Sequence, residues 1–456
     1  MARSIFVPQC AQVDDLKRVV RQIALLACFT GVSAAQATDL VDAISAASGF
    51  DAGIAAARDA RLAGHEKRWQ GLAGLLPRAQ VDGNYTKQDQ PTAAYAAAVR
   101  RHSVSATITQ PIFDMTRISD FRRGGALADQ ADIEYEKAWQ MLIMEVSDAY
   151  FNVLYTRELL QASESARQAF KKQLDQAQAA LKIGEGTRTD VDEAQANLDE
   201  ALARIISARN ESEVASGTFR RLTGLSAEDI APIVWQCSPK AALVDLATAM
   251  DEAARDNLDV RIAEKQLEQS TANVTAATGA HLPVVNFQAS YGANWSRGSG
   301  ENIWDGIFGT TSKTRSSVIG VIVTIPLFAG GGQLSASREA YRRREQSRNA
   351  LDDARLKARE NARTAYLGIT NGLALIRAQE RALASARSKL DSTRLGREVG
   401  LRTQIDELNA RQRYFEVVRD LANARYRHLR ARLKLSAALG TLGKNDVAGI
   451  ACRSPG

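Results

Sequence analysis

The sequence predicts a mixed α/β membrane protein, mostly helical, in which each chain contributes a few β-strands to a barrel. Three observations lead there. Prolines leave two long stretches untouched, Pro111 to Pro232 and Pro326 to Pro455, and both are rich in Ala, Leu, Arg, Glu and Gln, which favour helix. Four shorter segments flanked by the other prolines alternate apolar and polar side chains with period two. The whole arrangement is then written twice along the chain.

In the proline-free stretches apolar residues recur at helical spacing. Val146, Val153 and Leu160 are seven apart, as are Leu408, Phe415, Ala422 and Leu429. The pattern predicts helices over 116–182, 189–223, 331–397 and 403–440. At ~1.5 Å per residue the two longer ones each run about 100 Å. No single globular core is that long, so these helices must pack along their length.

The clearest strand covers Val285 to Ser296. Val285, Phe287, Ala289, Tyr291, Ala293 and Trp295 share one face, and Asn286, Gln288, Ser290, Asn294 and Ser296 share the other. Ile319, Val321, Val323, Ile325 and Leu327 supply a partner. Ala106, Ile108, Gln110 and Ile112 alternate with Ser105, Thr107 and Thr109, and Val81 to Gln88 is a weaker fourth strand. Leu76-Pro77 and Leu282-Pro283 open the first and third strands. Gln110-Pro111-Ile112-Phe113-Asp114 and Pro326-Leu327-Phe328-Ala329-Gly330-Gly331 close the second and fourth.

The repeat offset then becomes constant. Tyr150 and Tyr366, Gly184 and Gly400, Asp190 and Asp406, and Gly224 and Gly440 are all 216 residues apart. This predicts one helix–strand–strand–helix–helix unit used twice, over 38–231 and 241–445, with a linker at 232–240 and a tail at 446–456. The period is far too long for a solenoid.

Residues 1–37 read as a secretory leader. Lys17, Arg18 and Arg21 precede an apolar run from Ile23 to Val32, and Ala35-Gln36-Ala37 offers a cut before Thr38. Leu25-Leu26-Ala27-Cys28 is an alternative, a lipoprotein-type box. Export leaves Cys237 and Cys452 in a compartment that permits disulfides, and they are 215 residues apart. That spacing places them at related levels and makes a bridge a candidate, without establishing the close approach a disulfide requires.

Several function classes are excluded. The net charge of +7 is spread along the chain and forms no segregated basic face, which argues against nucleic acid. His65, His102, His281 and His428 are far apart, and no zinc or haem spacing occurs, so neither catalysis nor a cofactor is expected. Gly330-Gly331-Gly332 lacks the Lys and Ser/Thr of a phosphate loop and reads as a strand-to-helix joint.

Strands of about ten residues suit a tilted bilayer crossing. Four strands cannot close, and open edges are not tolerated in lipid. Several copies must therefore share one barrel, with the Ser, Thr, Asn and Gln face toward water and Tyr85, Tyr291, Trp295 and Trp304 in an interfacial girdle. A soluble coiled-coil scaffold is the competing class, and detergent dependence of solubility separates the two.

These strand exits, together with the helix-to-helix turns Ile183-Gly184-Glu185-Gly186-Thr187-Arg188-Thr189-Asp190-Val191 and Val399-Gly400-Leu401-Arg402-Thr403-Gln404-Ile405-Asp406, resemble the TolC family of outer-membrane channel-tunnel proteins over nearly all of 40–445. The resemblance implies a homotrimer: a twelve-stranded barrel in outer-membrane lipid, continuing into a twelve-helix periplasmic tunnel. It implies no enzymatic activity and no cofactor. It implies a periplasmic adaptor docking at Ile183, Gly184, Val399, Gly400 and Leu401. Energy would come from an inner-membrane ABC transporter exporting a secreted protein, of the cyclolysin or haemolysin type, or from a proton-driven pump in small-molecule efflux. Under three-fold symmetry Asp190 and Asp406 would form acidic rings at a gate, with Arg402 matching the basic residue that holds the tips shut. Asn409 stands where relatives can carry a second acid, which would weaken the ring.

Overall fold

The computed structural model describes residues 38–89, 98–233, 245–298, 307 and 312–449. The leader at 1–37, Trp304, and Cys237 and Cys452 with their candidate bridge lie outside the described residues. In chain order the elements are α1 (Leu40–Phe50), α2 (Ala52–Ala73), β1 (Arg78–Asp89), β2 (Ala98–Phe113), α3 (Met115–Lys182), α4 (Arg188–Thr223), α5 (Leu246–Asp256), α6 (Leu258–Gly279), β3 (Val284–Gly298), β4 (Ser312–Thr324), α7 (Gly332–Glu398), α8 (Gln404–Ala438) and α9 (Lys444–Ala448).

Local chemistry sets the helix ends. Asp114 caps α3, accepting from Thr116 N–H at 2.9 Å and Arg117 N–H at 3.3 Å, one residue after β2 ends. Its partner in the second repeat has no such acid. There Gly330 and Gly331, at φ 61° and 80°, turn the chain from the sheet into α7. The two longest helices, of 68 and 67 residues, each extend about 100 Å.

The strands form one antiparallel sheet in the order β1-β2-β3-β4, so β1 and β4 are both edges. The register aligns like with like. Val81, Ala106, Tyr291 and Ser317 form one cross-strand row, Ala79, Ile108, Ala289 and Ile319 the next, and Gln110, Phe287 and Val321 the one after. These rows share the apolar face. Arg78, Thr109 and Gln288, with Gln80, Thr107 and Ser290, lie on the polar face. Val318 and Ile322 depart from the pattern, standing opposite Ser290 and Asn286 on the polar side. Tyr85, His102, Trp295 and Lys313 make the row farthest from the helices of those named, with the Tyr85 ring 4.9 Å from His102 and Lys313 Nζ 5.9 Å from the Trp295 ring. Aromatic and cationic groups together are suited to a membrane–water boundary.

The fourth strand lies earlier than the alternation suggests. It runs from Ser312 to Thr324, so Ile325 and Leu327 fall beyond it. Pro326 has no N–H to donate, and pairing stops before it. The second strand tolerates Pro111 by a register shift between Pro111 and Phe113.

α3 is the axis of the helical part. Toward the sheet it packs against α2 and α6; toward the far end it packs against α4 and α8. α7 packs on α6 and α8 in the same way. Where the two halves meet, short helices end head to tail: Asn257 Nδ2 donates to the Ala438 carbonyl at 2.9 Å. The largest apolar cluster sits here, around Leu40, Ile44, Tyr150, Phe151, Phe219 and Leu429. The Tyr150 hydroxyl donates to the Ala231 carbonyl at 2.6 Å, and its burial pushes the phenol's pKa well above the usual value. Among the described residues no single helix is long and apolar enough to cross a membrane.

Equivalent glycines of the repeats have matching backbones: Gly184 and Gly400 at φ 79° and 77°, Gly224 and Gly440 at 73° and 75°. Their surroundings differ. A Cβ on Gly184 would meet open space, whereas one on Gly440 would overlap the Asp256 carbonyl oxygen. Gly184→Ala should therefore cost only the left-handed strain of about 1–2 kcal/mol. Gly440→Ala should lower the melting temperature further. Equal losses in thermal melts would mean that the contact with Asp256 does not matter.

Candidate functional site

The end of the molecule remote from the sheet consists of two helix hairpins, α3–α4 and α7–α8, and they turn in the same way. In the first, Gly184 N–H donates to the Leu181 carbonyl at 3.2 Å and Glu185 N–H to that of Ala180 at 2.9 Å. In the second, Gly400 N–H donates to the Arg397 carbonyl at 3.0 Å and Leu401 N–H to that of Gly396 at 2.7 Å. Paired bonds of this kind satisfy the carbonyls left over at a helix end and require a left-handed residue, here glycine.

The turns carry apolar side chains outward. Ile183 is 70% exposed, Val399 62% and Leu401 81%. Side chains this apolar gain by being covered, which makes the tips candidate contact surfaces. Gly184 and Gly400 sit between them and fix the turn.

Asp190 and Asp406 close identical capping boxes. Thr187 donates to Asp190 Oδ2 from N–H at 3.0 Å and from Oγ1 at 2.7 Å, and Asp190 N–H returns a bond to Thr187 Oγ1 at 3.2 Å. Thr403 and Asp406 repeat the arrangement at 3.1, 3.0 and 3.2 Å. Hydrogen bonds from the Thr187 side chain, then its backbone, hold the Asp190 carboxyl below the ordinary value. For Asp406 the Thr403 backbone leads, its side chain follows, and the charges of Arg402 and Lys389 contribute less. Within the chain Arg402 thus acts on Asp406 at a distance, while threonine holds the carboxylate. Arg188 lies 4.0 Å from Asp192.

A buried ion cluster at this end has no motif to signal it in the sequence. Glu407 is only 3% exposed and lies 2.6 Å from Arg397 on α7 and 2.6 Å from Arg411 on α8. Arg411 also donates to the Ala169 carbonyl of α3 at 3.0 Å. At the equivalent positions the first hairpin has Leu181, Val191 and Gln195, and Val191 packs on Leu174, Ala177 and Ala194. Comparing the two repeats position by position, rather than searching for motifs, would have exposed this difference.

A sheet apolar on one face, long helices running from it and turns with exposed apolar side chains are the parts of a membrane channel with a helical extension. Residues 44–225 and 249–441 match the family described as outer membrane efflux protein, and the chain belongs to that family. It is similar to outer membrane protein TolC of Escherichia coli, 29% identical over 396 residues, covering 86% of this chain and 80% of TolC. It is also similar to the alkaline protease secretion protein AprF of Pseudomonas aeruginosa, 30% identical over 436 residues, covering 90% of this chain and 86% of AprF. The CmeC outer membrane channel of Campylobacter jejuni has the same fold, with a TM-score of 0.76 at 15% identity over 90% of this chain and 89% of that one. The protein is an outer-membrane channel, a transport conduit whose helices extend into the periplasm.

The capping boxes make the tips acid-sensitive. Both carboxylates titrate below the ordinary aspartate value, so their contribution is complete above about pH 4 and is lost as pH falls through the lowered folded value. Amide exchange at 183–190 and 399–406 should quicken on acidification. Thr187→Ala should cost about 1 kcal/mol locally and flatten the response of the first tip alone. An unchanged acid response in that variant would remove the capping box as its cause.

Proposed function

We propose that three copies of the chain form the outer-membrane exit duct of a tripartite type I protein secretion system. The observation that carries the oligomer is the sheet: among the described residues it has an apolar face and two edges without a strand partner, β1 and β4, which further copies of the same sheet would close in lipid. Three copies give twelve strands above and twelve helices below. The exposed Ile183, Val399 and Leu401, with Gly184 and Gly400 shaping the turns, receive a periplasmic adaptor. An inner-membrane ABC transporter supplies the energy.

Protein cargo is supported by the similarity to AprF and to the proteases secretion protein PrtF of Dickeya chrysanthemi. The chain as a whole also resembles CyaE, the secretion protein for the cyclolysin adenylate cyclase toxin, which favours a toxin of that type. The second reading is small-molecule efflux driven by a proton-coupled pump. The family's description as efflux proteins favours it.

Asp190, Arg402 and Asp406 form the gate in this reading. Under three-fold symmetry the carboxylates become rings in a narrow passage and attract cations. Among the described residues Arg402 makes no salt bridge and acts on Asp406 only through its charge, and in this reading its guanidinium fork reaches across a subunit boundary.

Two measurements test the function. Deleting the gene should abolish release of one extracellular protein and leave drug susceptibility unchanged; the reverse outcome selects efflux. In planar bilayers Arg402→Ser should raise resting conductance, and Asp406→Asn should weaken cation preference and block by multivalent cations. Unaltered conductance of Arg402→Ser together with lost adaptor binding would reassign Arg402 to docking.

A further inference from the structure

The face of the sheet that carries the apolar rows changes character toward its far end. The rows nearest the helices, from Val285 and Val323 through Phe287 and Val321 to Ala106 and Tyr291, contain no charged side chain. In the next rows Arg315 stands opposite Ala293, and Lys313 stands opposite Trp295 with His102 beyond it. Farther out Lys87, Arg100 and Arg297 lie side by side on three adjacent strands. Strand alternation puts all of these cations on the apolar face. On the other face, at the same levels, Arg101 is the one cation among the described residues, and it donates to Gln88 at 3.3 Å.

Strand geometry gives the depth of this change. Trp295 is ten residues beyond Val285 on β3. That is roughly 34 Å along the strand, and a strand tilted by about 40° rises roughly 26 Å over it. The apolar band of an outer-membrane barrel is about 25 Å tall, so the Trp295 row falls where hydrocarbon ends. A cation at the bilayer midplane is costly and one at the interface costs little. Arg315, one row inside, is long enough to carry its head outward along the strand. Since the helices extend into the periplasm, this end of the sheet belongs to the outer leaflet.

The chain itself does little to neutralise these groups. Like charges directly opposite one another on neighbouring strands repel, and Lys87, Arg100 and Arg297 form such a row. Among the described residues the one ion pair in the group joins Lys87 to Asp89 at 3.2 Å. The Trp295 ring lies 5.9 Å from Lys313 Nζ, which fixes the height of the ammonium without cancelling its charge. A row of cations at the edge of hydrocarbon calls for anions at the same level. The outer leaflet of an outer membrane supplies them as the phosphates of lipopolysaccharide, and the guanidinium fork matches phosphate oxygens in pairs.

We propose that Lys87, Arg100, Arg297, Lys313 and Arg315 form a belt that binds the phosphate groups of the outer-leaflet glycolipid. The inference rests on the proposed barrel, in which this face meets lipid. With β4 of one copy beside β1 of the next, the belt continues around the barrel.

The test reconstitutes the full-length protein into phosphatidylcholine vesicles containing diphosphoryl lipid A, or the same lipid with its phosphates removed. The protein is then re-extracted and its retained lipid counted by mass spectrometry. Wild type should retain the diphosphoryl form several-fold over the dephosphorylated one, and added salt should narrow the difference. Arg100→Gln with Arg297→Gln should lower retention by about fivefold per cation removed. Arg101→Gln, on the other face, should retain as much as wild type. Equal retention of the two lipids by wild type overturns the belt, whether or not any variant folds. An equal loss in Arg101→Gln overturns it too. Displacement of the lipid by an equal concentration of inorganic phosphate would assign the cations to free phosphate and overturn the glycolipid as ligand. Failure of the wild type to insert into vesicles of phosphatidylcholine alone overturns the barrel reading and the belt with it, whereas insertion with equal retention overturns the belt alone.

Discussion

Backbone amides and carbonyls placed in hydrocarbon must find partners, and this constraint organises the whole chain. The described residues of each chain form four strands, and the sheet's apolar face is continuous across them. Its inner strands are satisfied, but β1 and β4 each leave a row of groups with no water to take them up. The proposed closure by further copies would meet that deficit. The helices inherit the arrangement, since each pair continues the strand pair above it through a short joint capped by Asp114 in one repeat and turned by Gly330 and Gly331 in the other.

Duplication explains why the helical part can be long with little core. Outside the waist, α3 and α7 bury mainly small residues such as Ala166, Ala177, Ala358 and Ala362. These allow close helix approach, and their yield in buried area is low. Polar contacts, such as the Tyr426 hydroxyl on Glu158 and Arg430 on Asp148, join α8 to α3. The waist, with Tyr150, Phe151 and Phe219 fully buried, is the region where large side chains hold the halves together. The molecule is thus anchored at its middle and lightly held toward the tips.

Much of this was legible in the sequence, because the signals were local and periodic. Helix ends were within a residue or two since glycines, threonines and an aspartate mark them. The strand β3 was readable from its strict alternation, and the repeat was readable from the offset shared by Gly184 and Gly400. The end of β4 was misplaced because the alternation of Ile325 and Leu327 continues past Pro326, where the hydrogen-bond ladder cannot. The sequence offers Asp190 and Asp406 both as helix caps and as charges at a gate, and the structure shows each closing a capping box, as the Thr-x-x-Asp spacing encodes. Glu407 is not legible in the sequence because nothing in its neighbours signals burial. Its partners Arg397 and Ala169 come from other helices, and only packing brings them together.

The central claim is that β1 of one copy pairs with β4 of the next. Amide hydrogen exchange on the lipid-embedded protein, resolved strand by strand, tests it most directly. If the barrel closes through these edges, the amides of 78–89 and 312–324 should be protected as strongly as those of β2 and β3. Rapid exchange along both edge strands, with β2 and β3 still protected, would mean that the sheet stays open and that the chain does not form a shared barrel.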